Sequence, residues 1–298
     1  MVIATGFFDG VHIGHRLVVE RLVNAARERG DQSMVVTFWP HPRNVLQDDA
    51  RNLRLLTSLD EKKALLGALG VDRIEVLPFT KQFSRLTTRE YLKDCLIARF
   101  GAKAILVGYD NRLGCDPQTP DSIREIAESE GLDVIMPGSV SLPDGMTVSS
   151  TKIRTALSDG DPEKAAAMLG YEYSLLGVVV AGNRLGRTIG FPTANIELYE
   201  PLKLLPGNGV YSVEAETLGR RFRGMCNIGV RPTVRSNGER TVETNIFDFD
   251  EDIYGLDFKV TFKRKIRDER RFDSIDALKD QLAADKARIL SSEGRQSC

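Results

Sequence analysis

Histidine is scarce in this chain. Three residues, His12, His15 and His41, stand near the N-terminus, and none follows in a sequence of 298. Imidazole chemistry is therefore confined to the first part of the chain, and a general base further on must be another residue type. Cysteine is almost as sparse. Cys95, Cys115, Cys226 and Cys298 are too few and too widely spaced for a disulfide framework or a zinc knuckle, which points to a reducing cytoplasm. No apolar run nears the ~20 residues of a membrane span. Asp9 and His12 interrupt the N-terminus before a secretory apolar core develops. Net charge is missing too: 41 basic against 42 acidic residues leave −1, which argues against a broad nucleic-acid or membrane footprint. There is no internal repeat or low-complexity segment. What is present, 42% apolar and 28% charged residues, is the composition of a globular chain. At ~150 residues per domain its length predicts two domains.

The two parts differ in grammar. Up to about residue 170, strand-length apolar runs alternate with amphipathic helical stretches. Val2–Thr5, Met34–Phe38, Arg73–Leu77, Ala104–Val107 and Asp133–Met136 read as buried strands. A helix is expected from His15 to Arg29, with Val18, Leu22, Ala25 and Ala26 on one face. Ser58 with Glu61, and Thr87 with Glu90, have the spacing of capping boxes, and Gly70 and Gly131 stand where helices should stop. Such alternation implies a parallel sheet covered on both faces, with ligands at the carboxyl ends of its strands. After a short helix opened by Pro162, strands follow one another without helices: Leu175–Ala181, Tyr211–Glu216, Arg221–Asn227, Thr241–Phe249 and Asp257–Phe262. Glycines and prolines punctuate the gaps, which predicts a small antiparallel sandwich or barrel. A last helix, about 274–290, carries Ile275, Leu278, Leu282 and Ile289 on one stripe. The boundary falls near residue 171, giving domains 1–170 and 171–298.

Between the first strand and first helix runs Gly6-Phe-Phe-Asp-Gly-Val-His12-Ile-Gly-His15. Two imidazoles and a bare backbone then meet at a helix N-terminus, where free N–H groups attract anions and the rings can stabilise charge on a transferring phosphoryl group. The same spacing also suits capping or metal-site histidines. Later, Val148-Ser-Ser-Thr-Lys-Ile-Arg154 precedes a helix. Its hydroxyls and arginine suit a triphosphate, although Ser-Ser-Thr is also an ordinary helix cap.

The His-Ile-Gly-His string resembles the signature of the nucleotidyltransferase superfamily. With Val36-Thr-Phe-Trp-Pro-His-Pro42 and Val107-Gly-Tyr-Asp110, residues 3 to about 170 resemble the adenylyltransferase half of bacterial bifunctional riboflavin kinase/FMN adenylyltransferases. The resemblance implies a Rossmann-like nucleotidyltransferase domain. In it His12 and His15 stabilise the transferring adenylyl group, and Gly6, Phe7, Asp9, Gly14 and Asp110 contact the nucleotide. Ser149, Ser150 and Arg154 hold phosphates. His41, between two prolines, is either part of that site or a loop-packing residue.

In the second domain, Gly182-Asn-Arg-Leu-Gly186-Arg187-Thr188 is one residue short of a P-loop and lacks its lysine, but a turn whose backbone cradles phosphate fits it. In Gly190-Phe-Pro-Thr193-Ala-Asn195, an extended strand would show Thr193 and Asn195 on one face. Hydroxyl and amide oxygens are hard ligands suited to Mg²⁺ beside ATP phosphates; an ordinary turn into a strand would read the same way. With Pro206–Tyr211, Asn227–Thr233, Thr241–Gly255 and Arg267–Phe272, these strings resemble the riboflavin kinase module almost end to end. That likeness implies an antiparallel β-barrel with a C-terminal helix, and Glu243 as the base for the ribityl 5′-hydroxyl.

The whole then reads as an α/β domain followed by an all-β domain. It would take riboflavin, FMN and ATP with Mg²⁺, make FMN and then FAD, and release FAD as product. Asn111 and Leu113 stand where the family commonly has aromatic residues, Ala181-Gly-Asn183 stands where a histidine-glycine-aspartate run commonly precedes the glycine-arginine turn, and Asn245 stands where histidine is frequent. These departures keep two alternatives in view: riboflavin kinase alone beside a degenerate first domain, and a non-enzymatic flavin-binding regulator. A tRNA-ligase reading lacks both the lysine-serine motif and an anticodon-binding extension.

Overall fold

The computed structural model describes residues 1–46, 53–108, 112–136, 147–182, 185–230 and 240–293. They form two compact units, 1–150 and 151–298. This division lies ahead of the change in sequence grammar near residue 171, and the helices α7 (Ser150–Ser158) and α8 (Pro162–Leu169) occupy the interval. The Gly207 N–H donates to the Leu157 carbonyl (2.7 Å), which ties α7 to the strands that follow.

The first unit is a five-stranded parallel sheet in the order β3-β2-β1-β4-β5. Its strands are β1 (Val2–Thr5), β2 (Ser33–Trp39), β3 (Arg73–Pro78), β4 (Ala104–Leu106) and β5 (Asp133–Ile135). Neighbouring residues along a strand face opposite ways, so continuous apolar runs feed two cores. Ile3, Met34, Val36 and Ile105 pack with Leu92, Leu96 and Ile123 on one face. Val2, Ala4, Val35 and Leu106 pack with Val19, Leu22 and Leu66 on the other. The helices on this second face are α1 (Ile13–Glu28) and α3 (Leu59–Ala68). Val19 and Val23 complete the buried stripe of α1, whereas Val18 is only partly buried. After the short α2 (Pro42–Leu46), both expected capping boxes are formed, Ser58 with Glu61 and Thr87 with Glu90. Thr119 and Ser122 make a third at the start of α6 (Pro120–Ser129). Gly70 and Gly131, both with φ +80°, follow the helices they stop. Helix α4 (Thr88–Glu90) runs through a π-helical stretch, Tyr91–Ile97, into α5 (Ala98–Phe100). Because β1 has β2 on one side and β4 on the other, the chain changes direction across the sheet at β1. The carboxyl end of such a strand is where open parallel sheets bind ligands.

In the second unit six strands close into a barrel, β10-β7-β6-β11-β8-β9, with neighbours antiparallel. They are β6 (Ser174–Val180), β7 (Ala194–Leu198), β8 (Gly209–Thr217), β9 (Arg220–Val230), β10 (Arg240–Ile246) and β11 (Asp257–Arg267). A short helix, α9 (Leu185–Thr188), precedes β7. Five of the strands fall on the expected runs. The sixth, β7, is a five-residue strand containing Asn195 and Glu197, too short and too polar to read as a buried run, yet it joins β6 to β10. Leu282, Ile289 and Leu290 of α10 (Ile275–Glu293) pack on Val210, Met225, Phe247 and Ile266 of the barrel. Ile275 does not join this stripe. It begins the helix and is 58% exposed.

Asp285 of α10 is 3% exposed and accepts from Arg267 Nε (2.8 Å) and Gln281 Nε2 (2.7 Å). Removing one partner of a buried ion pair strands the other. Asp285→Ala should therefore cost about 3 kcal/mol. Calorimetry of the whole chain is expected to show this as a lower-melting transition for the barrel unit alone.

Candidate active sites

The segment after β1 is strained and tightly held. Phe8 (φ +49°) and Val11 (φ +34°) occupy backbone regions that side-chain-bearing residues avoid, and Gly10 lies between them at φ +83°. Asp9 explains how the strain is held. Its carboxylate, 4% exposed, accepts from the Leu56 N–H (3.1 Å), the Thr57 N–H (3.1 Å) and the Thr57 hydroxyl (3.2 Å). The Gly10 N–H also donates to Thr57 Oγ1 (3.2 Å). Asp9, expected among the nucleotide contacts, thus has its carboxylate engaged with the chain.

This loop delivers His12 as the N-cap of α1. Its Nδ1 accepts from the His15 N–H (3.2 Å), so one alternative for the pair, capping, is part of the arrangement. Gly14 allows the close turn; a Cβ there would lie 3.3 Å from the His12 ring. The two imidazoles stack with centroids 3.6 Å apart and 13° between planes. Burial, above all, holds His15 well below the usual imidazole pKa, helped by His12 and Lys62. Its Nδ1 is buried without a hydrogen-bond partner among the described residues.

Two contributors went unread in the sequence. Thr57 clamps the loop, and Lys62, 4% exposed on α3, donates to Thr37 Oγ1 (3.4 Å). Thr37 in turn donates to the Phe7 carbonyl (3.2 Å). Burial lowers the Lys62 pKa to about 8, against the opposing effect of Asp9. The available signal was position: Lys62 precedes buried Leu66 by four residues and shares its face of α3.

The late motif reaches the early one through Ser150, whose hydroxyl donates to the Asp9 carbonyl (3.0 Å). Ser150 also begins α7, and Arg154 follows one turn later. Ser149 directly precedes the helix and is half-buried. Gly6 and Phe7 start the strained loop, with a Phe7–His41 ring separation of 5.0 Å. Phe7 also lies against Phe38 and Phe79, so His41 borders an aromatic cluster. Leu113, at a position where an aromatic is common, is 8% exposed in the core. Asp110, Asn111 and Asn183 lie outside the described residues.

On the barrel, register does the positioning. Glu243 of β10 pairs with Asn195 of β7 on one side and Asn227 of β9 on the other. Paired residues point to the same face, so a carboxylate is flanked by two amides. Met225, two residues from Asn227, packs against α10, which places the row on the barrel face that α10 partly covers. Gly182 abuts this row: a Cβ there would fall 2.1 Å from Asn195 Nδ2. A Cβ at Gly186 would fall 2.3 Å from the Phe191 carbonyl oxygen, and Arg187 beside it is exposed. Thr193 directly precedes β7, and Asn245 Nδ2 donates to the Pro192 carbonyl (2.7 Å), fixing that entry. Asn227 opens the Asn227–Thr233 motif, but only the register assigns it a place. Cys226 next to it is fully buried, and burial pushes its thiol up to about 12, which excludes it as a nucleophile at neutral pH.

Apart from Arg154, which lies between the two matches, each of these arrangements falls within a known domain. A family model described as FAD synthetase matches residues 1–152, and one described as riboflavin kinase matches residues 169–292. A Bacillus subtilis protein named bifunctional riboflavin kinase/FMN adenylyltransferase is 35% identical, the match covering 96% of this chain and 90% of that protein. The chain belongs to this family. An Escherichia coli K12 protein of the same name is 37% identical, with 96% and 90% covered. A solved Streptococcus pneumoniae structure has the same fold, with TM-score 0.86 and 35% identity over 96% of this chain and 92% of its own. That neighbour bears the name macrolide-efflux protein. Among the described residues here, no helix is long and apolar enough to cross a membrane.

If Asp9 secures the strained loop, Asp9→Ala leaves three buried donors unmet and costs about 3 kcal/mol. Calorimetry should show the sheet unit melting earlier, with the barrel transition unmoved.

Proposed function

We propose that the chain phosphorylates riboflavin at the barrel and adenylylates the resulting FMN at the sheet. The observation that carries this reading is the division of the two sites between the two matched domains: His12 and His15 within 1–152, Glu243 within 169–292. The functional domains are assigned as 1–170 and 171–298.

At the barrel, Glu243 accepts the proton of the ribityl 5′-hydroxyl as that oxygen attacks the γ-phosphorus of ATP, and ADP leaves. Asn195 and Asn227, on either side of Glu243, fix the plane of attack by hydrogen bonding. Gly182, Gly186 and Arg187 cradle the phosphates. Thr193 and Asn195 offer hydroxyl and amide oxygens, hard donors that would hold Mg²⁺ beside the ATP phosphates. When bound, Mg²⁺ screens phosphate charge. At the sheet, an FMN phosphate oxygen attacks the α-phosphorus of a second ATP and expels pyrophosphate. The N–H groups opening α1, with His12 and His15, stabilise the developing charge. Gly6, Phe7 and Gly14 allow close backbone approach, Ser149, Ser150 and Arg154 hold the pyrophosphate end, and Asp110 contacts the nucleotide. Asp9 serves this site through the loop it secures. Neither step requires a covalent enzyme intermediate; positioning and charge stabilisation carry both. The described Cys95, Cys115 and Cys226 are free, in keeping with work in the cytoplasm.

Chromatography of riboflavin, FMN and FAD after adding ATP and Mg²⁺ tests the division of labour. Glu243→Gln should lower FMN formation by on the order of 100-fold or more and leave conversion of supplied FMN to FAD intact. His12→Ala should do the reverse and accumulate FMN. Loss of both reactions from either single substitution in folded protein would falsify the assignment. Gly182→Ala, which displaces the Asn195 amide, is expected to slow riboflavin phosphorylation by on the order of 100-fold. FAD formation from supplied FMN serves as the control.

A further inference from the structure

The paired histidines cannot supply the positive charge that a phosphate site needs. Two imidazolium rings stacked at 3.6 Å would repel each other, and a protonated His15 would bury an N–H at Nδ1 with no acceptor among the described residues. Both observations describe a neutral His15, and His12, whose Nδ1 accepts from the His15 N–H, is likewise a neutral hydrogen-bonding ring.

A cation is present nearby. Lys62 is 4% exposed, so its ammonium is removed from water, yet among the described residues it makes one long hydrogen bond, 3.4 Å to Thr37 Oγ1. Trp39 lies 5.9 Å from it, at the outer reach of a cation–π contact. An ammonium has three donors, and burying it with so little satisfied is costly. Its surroundings locate it. Thr37 holds the Phe7 carbonyl of the strained loop, while Asp9 on that loop and His15 on α1 both interact with Lys62 electrostatically. The amine thus sits beside the carboxyl ends of β1 and β2, next to the N-terminus of α1.

We propose that Lys62 is a phosphate-binding residue of this site, donating to a phosphate oxygen of ATP or FMN and supplying the fixed charge that the stacked histidines lack. This rests on the His12/His15 centre being where FMN is adenylylated. Anion binding would fill the unused donors of the ammonium and explain why a lysine is buried there.

Lys62→Met keeps the length and apolar stem and removes the charge; Lys62→Gln does so while retaining a donor for Thr37. Whichever melts like the parent should lose FMN adenylylation by on the order of 100-fold with riboflavin phosphorylation unchanged. A rise confined to the ATP KM assigns the amine to the triphosphate, one confined to the FMN KM to the monophosphate, and a fall in kcat alone to the transition state. Adenylylation within threefold of the parent in a normally melting variant overturns the proposal. The unmodified enzyme provides an arm that needs no variant. Lys62 is cationic below and neutral above its pKa of about 8. As that charge is lost, kcat/KM for adenylylation should fall through about pH 8 on the alkaline side. A level profile to about pH 9 also overturns the proposal. His12→Ala separates the two ideas: if it leaves FAD synthesis intact, the site itself is misassigned, whatever Lys62 does.

Discussion

The N-terminal site depends on one carboxylate. Asp9 anchors the loop that carries Phe8 and Val11 at positive φ through three donors at residues 56 and 57, and Thr57 and Thr37 hold the Gly10 N–H and the Phe7 carbonyl beside it. The backbone conformation of that loop decides where His12 caps α1, and the cap decides where the free N–H groups of the helix point. Ser150 then fastens the late motif to the Asp9 carbonyl, joining segments 141 residues apart. Strain of this kind persists only where surrounding structure over-determines it. Here that structure is the β1–α1 loop, the 55–57 segment and the start of α7.

The barrel reaches a comparable end without strain. Its carboxylate and two amides are aligned by antiparallel register, and shifting β10 by one residue would turn Glu243 to the opposite face. Asn245 shows how a departure from the family pattern is absorbed. Its amide holds the Pro192 carbonyl and so the entry to Thr193 and Asn195. Near-neutral overall charge is compatible with polyanionic substrates on the proposed reading, in which the attraction is local, from helix ends, a few arginines and Lys62.

The sheet was legible because burial on both faces produces uninterrupted apolar runs, and β1 has the bounds that the run Val2–Thr5 implies. The capping boxes were legible because they are local. The strand β7 was not, since Ala194–Leu198 mixes polar with apolar residues and owes its pairing to neighbours remote in sequence. Ile275 misled because periodicity marks a helical stripe but not where the barrel surface beneath it ends. At the candidate sites, the sequence names His12, His15, Glu243 and Asn195 but not how they are supported. Asp9 reads as a phosphate-loop residue until its partners at 56 and 57 are seen. Lys62, next to Lys63, reads as a solvated pair until α3 turns one inward.

The central claim is that one chain forms two different phosphorus–oxygen bonds, one from the γ- and one from the α-phosphorus of ATP. Supplying riboflavin with ATP distinguishably labelled at these two positions tests it most directly. The account predicts FMN carrying the γ-label alone and FAD carrying both labels in equal amount. FMN carrying the α-label, FAD lacking either label, or γ-labelled FMN that is never converted to FAD would contradict it.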